Sequence, residues 1–390
     1  MAEVEGLPGP TPAAGNAYYQ QQRAKRFLVS PVAESNWRRF EKWRDSGESY
    51  VDSELLPVKA HISPNSQCNF RCSACAVSDF PRGKRAEPMS LNRFNEILDQ
   101  LPTVCEVFPT GLSEVLMTPQ EDLLAMLGSA RGREFWVQLV TNASLLHQRD
   151  WIPKIADLDL NEVCISIDGA TKEVFELVRR GSNFERVIEN TANLARYFTT
   201  LGIENRLKVQ MTVQRDNAHE MEKVIQIAHT LGITSMQISI DIFDWGSVAW
   251  RSIISQKTAE LNVENLAFLI DYGTSLGIRV GFVKIMKKFS STGPVSARCK
   301  WPFSAVMISS DNRIVPCCHI SNPDFFEIEV EGASNMAEIW HSKAYQAFRA
   351  SHLKGEIPDV CRPCYRETEH LTEVSVDIGR RLNVTDVTRK

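Results

Sequence analysis

Three cysteines in the pattern CxxxCxxC are the residues whose type and spacing point most directly to chemistry. They are Cys68, Cys72 and Cys75, in the segment CNFRCSAC. Three thiolates on one loop can hold three irons of a [4Fe–4S] cluster and leave the fourth iron open to a chelating molecule. A structural zinc site would need a fourth ligand nearby. The close candidate, His61, lies inside the preceding predicted strand, so the pattern favours a cluster with an open iron.

A second group of cysteines lies near the end of the chain. The sequence has ten cysteines, and those after residue 298 are Cys299, Cys317, Cys318, Cys361 and Cys364. Clustered cysteines in a cytosolic chain more often bind metal than form disulfides. A closed iron–sulfur site needs four ligands, so three of these cysteines are joined by either Cys317 or Cys318. A zinc site with four thiolates is the alternative.

Alternating strand and helix patterns surround these cysteines. Apolar runs bounded by turn residues predict strands at 58–63, 104–109, 135–141, 162–167, 206–213 and 234–240. Helices are predicted near 90–101, 119–130, 148–156, 171–201 and 217–231, and a helix near 258–276 and a strand near 278–284 complete the pattern. Strands separated by helices imply parallel pairing through right-handed crossovers, which is an α/β fold.

One face of the predicted strands is polar. Apolar residues at every second position form the face that packs under the helices, and the positions between them include Lys208, Gln210, Gln237, Ser239 and Asp241. A closed eight-stranded barrel fills its interior with branched apolar side chains. The polar interior therefore favours a partial (β/α)6 barrel, similar to a TIM barrel but incomplete, around a hydrophilic ligand. An open sheet with one solvated face is the alternative.

The CxxxCxxC loop directly after the first strand of a β/α chain resembles the radical S-adenosylmethionine (radical SAM) superfamily. The resemblance covers residues 57–240. It implies that SAM chelates the open iron and that one electron from the reduced cluster cleaves SAM. The resulting 5′-deoxyadenosyl radical would abstract a hydrogen from the substrate, and an external one-electron donor such as flavodoxin or ferredoxin is implied as a partner.

Segments at the ends of the next strands resemble the family's SAM-binding motifs. The segment GLSE at 111–114 resembles the Gly-Gly-Glu segment that contacts the SAM amino group, with Ser113 before the glutamate. The third strand ends where the family often has Thr-Asn-Gly, and SIDG at 166–169 is similar to its Ser-x-Asp-Gly segment. Arg179 or its neighbour Arg180 is implied to meet the SAM carboxylate. The implied cofactor-binding residues are Gly111, Ser113, Glu114, Asn142, Ser166, Asp168 and Arg179.

The late cysteines resemble a SPASM domain in its truncated form, called twitch, which holds an auxiliary iron–sulfur cluster. In that family a ligand usually follows a turn glycine by five positions. Asn312 takes the glycine's place here, since asparagine tolerates the left-handed backbone, and the spacing then implies Cys317. Two short strands, 304–309 and 313–316, and a helix over 335–353 are predicted around the site. No cysteine follows Cys364 in the sequence, so a single auxiliary cluster is expected, of the [4Fe–4S] type.

Length and composition are those of a soluble globular protein. The 390 residues suffice for a large and a small domain. We predict an arm and a short amphipathic helix at 1–56, the barrel at 57–284, a linker at 285–298, the twitch-like domain at 299–375 and a tail at 376–390. A net charge of −4 gives no electrostatic case for nucleic acid. No membrane-spanning run or secretory signal is visible, so the expected location is the cytoplasm.

Three functions compete at this stage. The polar interior favours a small polar metabolite, such as an aminocyclitol, sugar or amino acid, that is dehydrogenated or epimerised. Asp241 would bind a hydroxyl or ammonium group of this substrate, unless it caps the following turn. Cys105 and Cys164 fall in strands, where a free cysteine is usually a small buried apolar side chain, yet Cys164 has inward parity and is a candidate hydrogen-atom donor. The second hypothesis is a peptide maturase, although the segment before residue 57 looks too short for a winged-helix module; the third is a non-catalytic metal-binding scaffold.

Overall fold

A single sheet organises the molecule. The computed structural model describes residues 30–46, 55–283, 289–330 and 335–365. The strands in these ranges are β1 Lys59–Ile62, β2 Glu106–Phe108, β3 Trp136–Thr141, β4 Glu162–Ser166, β5 Leu207–Thr212, β6 Ser235–Ser239, β7 Arg279–Val283, β8 Ala305–Ile308 and β9 Ile314–Val315. They are ordered β7-β6-β5-β4-β3-β2-β1-β8-β9, and every neighbouring pair is parallel except β8 and β9. The order has two ends, which confirms the α/β prediction of an incomplete barrel.

Helices connect the strands and cover the outer face of the sheet. They are α1 Pro31–Ser46, α2 Leu91–Asp99, α3 Gln120–Gly132, α4 Trp151–Asp157, α5 Lys172–Val178, α6 Phe184–Thr200, α7 Met221–Thr230, α8 Val248–Lys257, α9 Val263–Ser275, α10 Trp301–Ser304, α11 Met336–Trp340 and α12 Lys343–Lys354. The apolar sides of most helices and the apolar strand positions form one large core, whereas α1 and α10 pack in a second cluster and α8 packs in a third. The inner strand positions are left for the polar side chains, as the alternation predicts.

The helix predicted over 171–201 is two helices, α5 and α6. Gly181 lies between them with a φ of 86°, which a helix interior does not allow. Asn183 then begins α6 by accepting a hydrogen bond from the backbone N–H of Arg186 at 2.8 Å. This break between the two helices places the backbone of 178–181 against the cysteine loop.

Two further helical differences have local causes. The helix predicted over 335–353 divides into α11 and α12, because the Ser342 hydroxyl accepts from the backbone N–H of Tyr345 at 3.2 Å and caps a new helix. Helix α8 is absent from the sequence predictions. Its buried residues are Trp250 and Ile254, which is too short a periodic signal to identify a helix.

The segment predicted as a separate small domain adds strands to the barrel sheet. β8 lies beside β1, with Lys59 opposite Ala305 and Ile62 opposite Ile308. All four residues of β8 are buried, so its apolar sequence is explained by burial on both faces. The predicted domain boundaries stay a prediction, while the sheet itself is continuous across them.

The predicted amphipathic helix is α1, which packs under the barrel. The Asn36 side chain donates to the Leu56 carbonyl at 2.9 Å and accepts from the Leu56 N–H at 3.0 Å. The Trp43 ring lies 4.9 Å from that of Phe303, centroid to centroid. Helix α1 therefore packs against the main domain.

Several predicted segments lie outside the described residues. They are the N-terminal arm before residue 30, linker residues 285–288, residues 366–375 of the predicted twitch-like domain and the tail at 376–390. The described part of the linker holds a 3₁₀ turn at Val295–Ala297. In the described ranges, no helix combines the length and apolar character needed to cross a membrane.

Candidate active site

A cavity of about 450 Å³ lies on the inner side of the sheet. It is lined by the inner strand positions and by the loops that follow the carboxyl ends of the strands. Cys68, Cys72 and Cys75 line it, as do all the residues implied to bind SAM and the segment at 318–319. This size is within the range of about 300–1,000 Å³ that is typical of ligand pockets.

The three cysteines of the first loop are half-buried neighbours. Burial, and then the charges of Glu114 and Cys72, raise the pKa of Cys68 to about 12. Burial also raises the pKa of Cys75, and the thiols of Cys72 and Cys68 raise it further. Thiols must lose their protons to bind metal, and Arg179 favours the thiolate at Cys72. Three adjacent thiols facing one cavity have the donor chemistry of a [4Fe–4S] cluster with an open iron.

Backbone hydrogen bonds hold this loop on two sides. The N–H groups of Arg71 and Ser73 donate to the carbonyls of Arg180 and Val178, at 2.7 and 2.8 Å. On the other side, the N–H of Cys68 donates to the Gly83 carbonyl at 2.9 Å. The loop is therefore fixed by the interruption between α5 and α6 rather than by secondary structure of its own.

Side chains far apart in sequence complete the support of the loop. Asn142 donates to Asn69 at 3.0 Å, and Ser73 donates to Gln214 at 2.9 Å. Trp245 donates through Nε1 to the Ala74 carbonyl at 3.1 Å. Sequence reasoning missed these contacts, except that Gln214 continues the inward parity of β5. They link the loop to the ends of three other strands.

Glu114 is a rigid carboxylate at the edge of the cavity. Its Oε1 accepts from the Thr141 hydroxyl at 2.5 Å, and its Oε2 accepts from the Asn142 N–H at 2.7 Å. Burial raises its pKa, although these hydrogen bonds act in the opposite direction. Gly111 approaches Ser63 so closely that a Cβ there would lie 2.3 Å from the Ser63 hydroxyl. The close approach explains why this position is a glycine.

Asp168 and Arg179 form a buried ion pair beside the cysteines. Arg179 Nε and Nη2 each lie 2.8 Å from Asp168 Oδ2. The other oxygen of Asp168 accepts from the backbone N–H of Thr212 at 2.7 Å. Asp168 therefore orients Arg179, while Arg180 is exposed and donates to the Arg71 carbonyl. Ser166 lines the cavity at the end of β4.

The five late cysteines lie close enough to affect one another's thiols, and burial, then Cys317 and Cys299, also raise the pKa of Cys318. Burial, and then Cys317 and Cys299, raise the pKa of both Cys361 and Cys364. Phe289, Ile357 and Tyr365 form an apolar cluster against which Cys299, Cys361 and Cys364 pack. Within the described ranges, no three histidine, cysteine or carboxylate side chains converge on a single metal ion. A [4Fe–4S] cluster does not require this, because each thiolate binds a different iron.

Cys317 and Cys318 face different surroundings. Cys317 acts on the thiols of Cys361 and Cys364, whereas Cys318 lines the cavity. His319 lines it too, and its ring stacks on Phe243 with centroids 3.6 Å apart. This arrangement favours Cys317, the choice implied by the spacing from Asn312. Asn312 has the expected positive φ, of 66°.

Polar side chains of β5 and β6 form another wall of the cavity. Gln210 and Gln237 are directly opposite each other in the strand register, and both line the cavity with Ser239 and Asp241. In the turn after Asp241, Asp244 Oδ1 accepts a hydrogen bond from the Gly246 N–H at 3.1 Å. Neither glutamine carboxamide is hydrogen-bonded within the part of the chain that the structure describes.

Two inward-parity residues, Lys208 and Cys164, are deeper than the sequence suggests. Lys208 is not among the residues that line the cavity, and its Nζ lies 2.9 Å from Glu162 in a buried pair. Cys164 does not line the cavity either and is 1% exposed, so the position does not favour its role as a hydrogen donor. His61 does line the cavity, where its ring stacks on Phe108 with the centroids 4.5 Å apart. The alternation along a strand predicts which face of the sheet a side chain lies on. It does not predict how far that side chain lies from the open end of the cavity.

Two protein-family models match the chain. The radical SAM superfamily model matches residues 62–228, and an iron–sulfur cluster-binding domain model, SPASM, matches residues 299–365. The chain belongs to the radical SAM superfamily. Both predicted cysteine groups lie in the matched ranges, so cluster and SAM binding are properties of its family. The finer assignment to the twitch form stays a prediction.

The curated relatives of this radical SAM protein are distant. Mycofactocin maturase MftC of Mycobacterium tuberculosis (strain CDC 1551 / Oshkosh) is 24% identical over 208 residues, which are 53% of this chain and 50% of that protein. The 7,8-dihydro-6-hydroxymethylpterin dimethyltransferase of Methanocaldococcus jannaschii is 26% identical over 181 residues, 44% of this chain and 33% of that protein. The chain therefore spans about half or less of the length of these relatives.

Solved structures share the fold. Streptococcus suis SuiB bound to precursor peptide SuiA has a TM-score of 0.57 at 12% identity, over 86% of this chain and 79% of that chain. The structure of anSMEcpe with bound AdoMet and a Cp18Cys peptide has a TM-score of 0.54 at 16% identity, over 84% of this chain and 96% of that chain. At these identities the likeness concerns the fold alone.

Proposed function

We propose that this chain holds a [4Fe–4S] cluster at Cys68, Cys72 and Cys75, binds SAM beside it, and modifies a peptide by hydrogen abstraction. The observation that carries the proposal is the shared cavity. The three cysteines, the expected SAM-binding side chains and the polar wall from β5 and β6 all line the same 450 Å³. Radical chemistry requires cofactor and substrate to meet in one enclosed space.

The cofactor side of the cavity has complementary charges. When bound, the cluster and SAM supply a 5′-deoxyadenosyl radical for hydrogen abstraction. The Glu114 carboxylate suits a cationic amine, and the guanidinium of Arg179 suits a carboxylate. Hydrogen bonds to Thr141 and Asn142 hold Glu114 in place, and Asp168 holds Arg179. Both groups are thus oriented before SAM arrives, which is the requirement for a precise site.

The late cysteines suit an oxidative outcome. We assign the auxiliary cluster to Cys299, Cys317, Cys361 and Cys364, supported by the coupling of their thiols. A substrate that has lost a hydrogen atom must also lose an electron to become a closed-shell oxidised product. An electron acceptor beside the cavity serves this purpose, and Asp241 lies close enough to Cys364 to affect its pKa. Flavodoxin or ferredoxin would supply the first electron.

A peptide substrate replaces the small metabolite favoured by the sequence. MftC is named as a maturase, and SuiB was solved with a precursor peptide. The wall formed by Gln210 and Gln237 supports the same choice. Two adjacent carboxamides present donors and acceptors side by side, which matches the donor and acceptor of a peptide group. Asp241 would then fix the side chain whose hydrogen faces the radical.

The test is conversion of a candidate precursor peptide, encoded beside the gene, by the anaerobically reconstituted enzyme. We expect the peptide to accelerate 5′-deoxyadenosine formation and to lose two hydrogens, both measured by mass spectrometry. Asp241→Asn should keep its iron and SAM affinity but form 5′-deoxyadenosine without converting peptide. Acceleration and conversion seen only with sugars, aminocyclitols or free amino acids would overturn the peptide assignment.

A further inference from the structure

A buried tyrosine lies directly after the last cysteine of the proposed auxiliary site. Tyr365 is 4% exposed, and its hydroxyl accepts a hydrogen bond from the backbone N–H of Cys299 at 3.0 Å. The same hydroxyl oxygen lies 2.7 Å from Nδ1 of His352, which is 1% exposed. A hydroxyl that accepts from an amide still has its own proton to give, so Tyr365 donates to His352.

The hydroxyl joins three separate segments of the chain. Cys299 precedes α10, Tyr365 follows the Cys361–Cys364 pair, and His352 belongs to α12. A backbone bond from the Phe289 N–H to the Cys364 carbonyl, 3.1 Å, binds the same segments together. Tyr365 therefore connects the two halves of the proposed ligand set, which are far apart in sequence.

The hydrogen bonds of the Tyr365 hydroxyl lie in buried, largely aromatic surroundings. The ring of Phe289 lies 5.6 Å from that of Tyr365, and the ring of Phe348 lies 5.0 Å from that of His352. Nε2 of His352 is buried and has no hydrogen-bond partner among the described residues. Burial, and then the charge of Arg298, lower the pKa of His352 to about 4, so it is a neutral acceptor at neutral pH. Hydrogen bonds count for more in apolar surroundings than in water.

We propose that Tyr365, held by His352, positions Cys299 and thereby sets the reduction potential of the auxiliary cluster. The proposal rests on the auxiliary site of the proposed function. Reduction adds negative charge to a cluster, and N–H or O–H groups that donate to its sulfurs favour the reduced form. By accepting from Cys299, Tyr365 directs one such N–H away from the sulfurs. Tyr365 is a positioning residue that keeps the potential low.

The test uses the Cys68/Cys72/Cys75→Ala protein, in which only the auxiliary cluster remains, and measures its potential by redox titration followed by EPR. Tyr365→Phe removes the acceptor, and the freed N–H of Cys299 can turn to a sulfur, so we expect a higher potential with unchanged iron. The matched control is Tyr345→Phe. Tyr345 is also fully buried, and its hydroxyl donates to the Ala305 carbonyl at 3.4 Å, away from the cysteines. The control should keep the parent potential.

A second variant is needed in case Tyr365→Phe does not assemble the auxiliary cluster. If Tyr365→Phe binds no iron while Tyr345→Phe does, the potential of His352→Phe becomes the test. This variant keeps the Tyr365 phenol but removes the histidine nitrogen that accepts the phenol's proton. The hydroxyl, 3.0 Å from the Cys299 nitrogen, is then free to donate to a sulfur, and the potential should rise. If the iron-loaded Tyr365→Phe or His352→Phe variant has the same reduction potential as the parent, the proposed role of Tyr365 is overturned and the auxiliary site is not. A parent without auxiliary iron overturns the auxiliary site as well.

Discussion

Cys317 and Cys318 are adjacent in sequence but have different surroundings. Cys317 raises the pKa of the Cys361 and Cys364 thiols, while Cys318 lines the cavity. The chain turns at this point, where the Ile320 N–H donates to the Cys317 carbonyl at 3.1 Å, so the two side chains can meet different surroundings. Counting from Asn312 implies Cys317 from the sequence, and its role as a ligand stays a prediction.

This difference predicts opposite effects of two conservative substitutions. In the Cys68/Cys72/Cys75→Ala background, Cys318→Ala should retain about four irons per chain, because a [4Fe–4S] cluster keeps all its ligands. Cys317→Ala should lose most of this iron, since it removes a ligand. Iron and sulfide analysis and EPR measure both. Loss of iron on changing Cys318, with retention on changing Cys317, would reverse the assignment.

Motif residues were predictable from sequence because their chemistry depends on residue type. Thiols at fixed spacing and a glutamate after a glycine remain recognisable without a structure. The residues that support these motifs were not predictable from sequence. Ser73 contacts Gln214, and Asn69 contacts Asn142, only because the fold brings the strand ends together. Such contacts depend on the three-dimensional arrangement of the loops, and no local pattern identifies them.

At the level of elements, the carboxyl ends of β1 and β2 are packed without spare space. A Cβ at Gly111 would lie 2.8 Å from the Cβ of Ser63, which is closer than real contacts. Ser63 cannot swing away easily, because its hydroxyl donates to the Asn65 carbonyl at 2.6 Å. The position of the GLSE segment, and hence of Glu114, depends on this close approach.

Gly111→Ala should therefore lower the free energy of unfolding by about 1–3 kcal/mol through overpacking, and should weaken SAM binding by displacing Glu114. Gly281→Ala in β7 is the matched control, because a Cβ there meets nothing within 4 Å. We expect it to change stability by less than about 1 kcal/mol. Chemical denaturation and calorimetric titration with SAM measure the two effects, and equal stability losses in both variants would contradict the packing argument.

Strand prediction succeeded because burial on one face imposes a period of two. Helix boundaries were less predictable: capping by Asn183 and Ser342 divides two periodic runs that read as continuous. The break before Asn183 also supports the cysteine loop, because its backbone carbonyls accept hydrogen bonds from that loop. A local departure from the sequence pattern thus coincides with a functional requirement.

At the scale of the whole molecule, one sheet connects the two cysteine groups. The pairing of β1 with β8 brings the chain after residue 298 beside the strand that precedes Cys68. Sequence could predict both groups but not this pairing, because the two strands are far apart in the chain. The ion pair of Arg85 with Asp311, at 2.6 Å, joins the same regions. The cavity therefore has walls from both family-matched ranges.

The claim on which the whole account depends is that Cys68, Cys72 and Cys75 hold the cluster that cleaves SAM. The most direct test is 5′-deoxyadenosine formation by the triple alanine variant, reduced with dithionite in the presence of SAM. The variant should form none above background while keeping about four irons at the auxiliary site. Formation of 5′-deoxyadenosine at the wild-type rate would contradict the account.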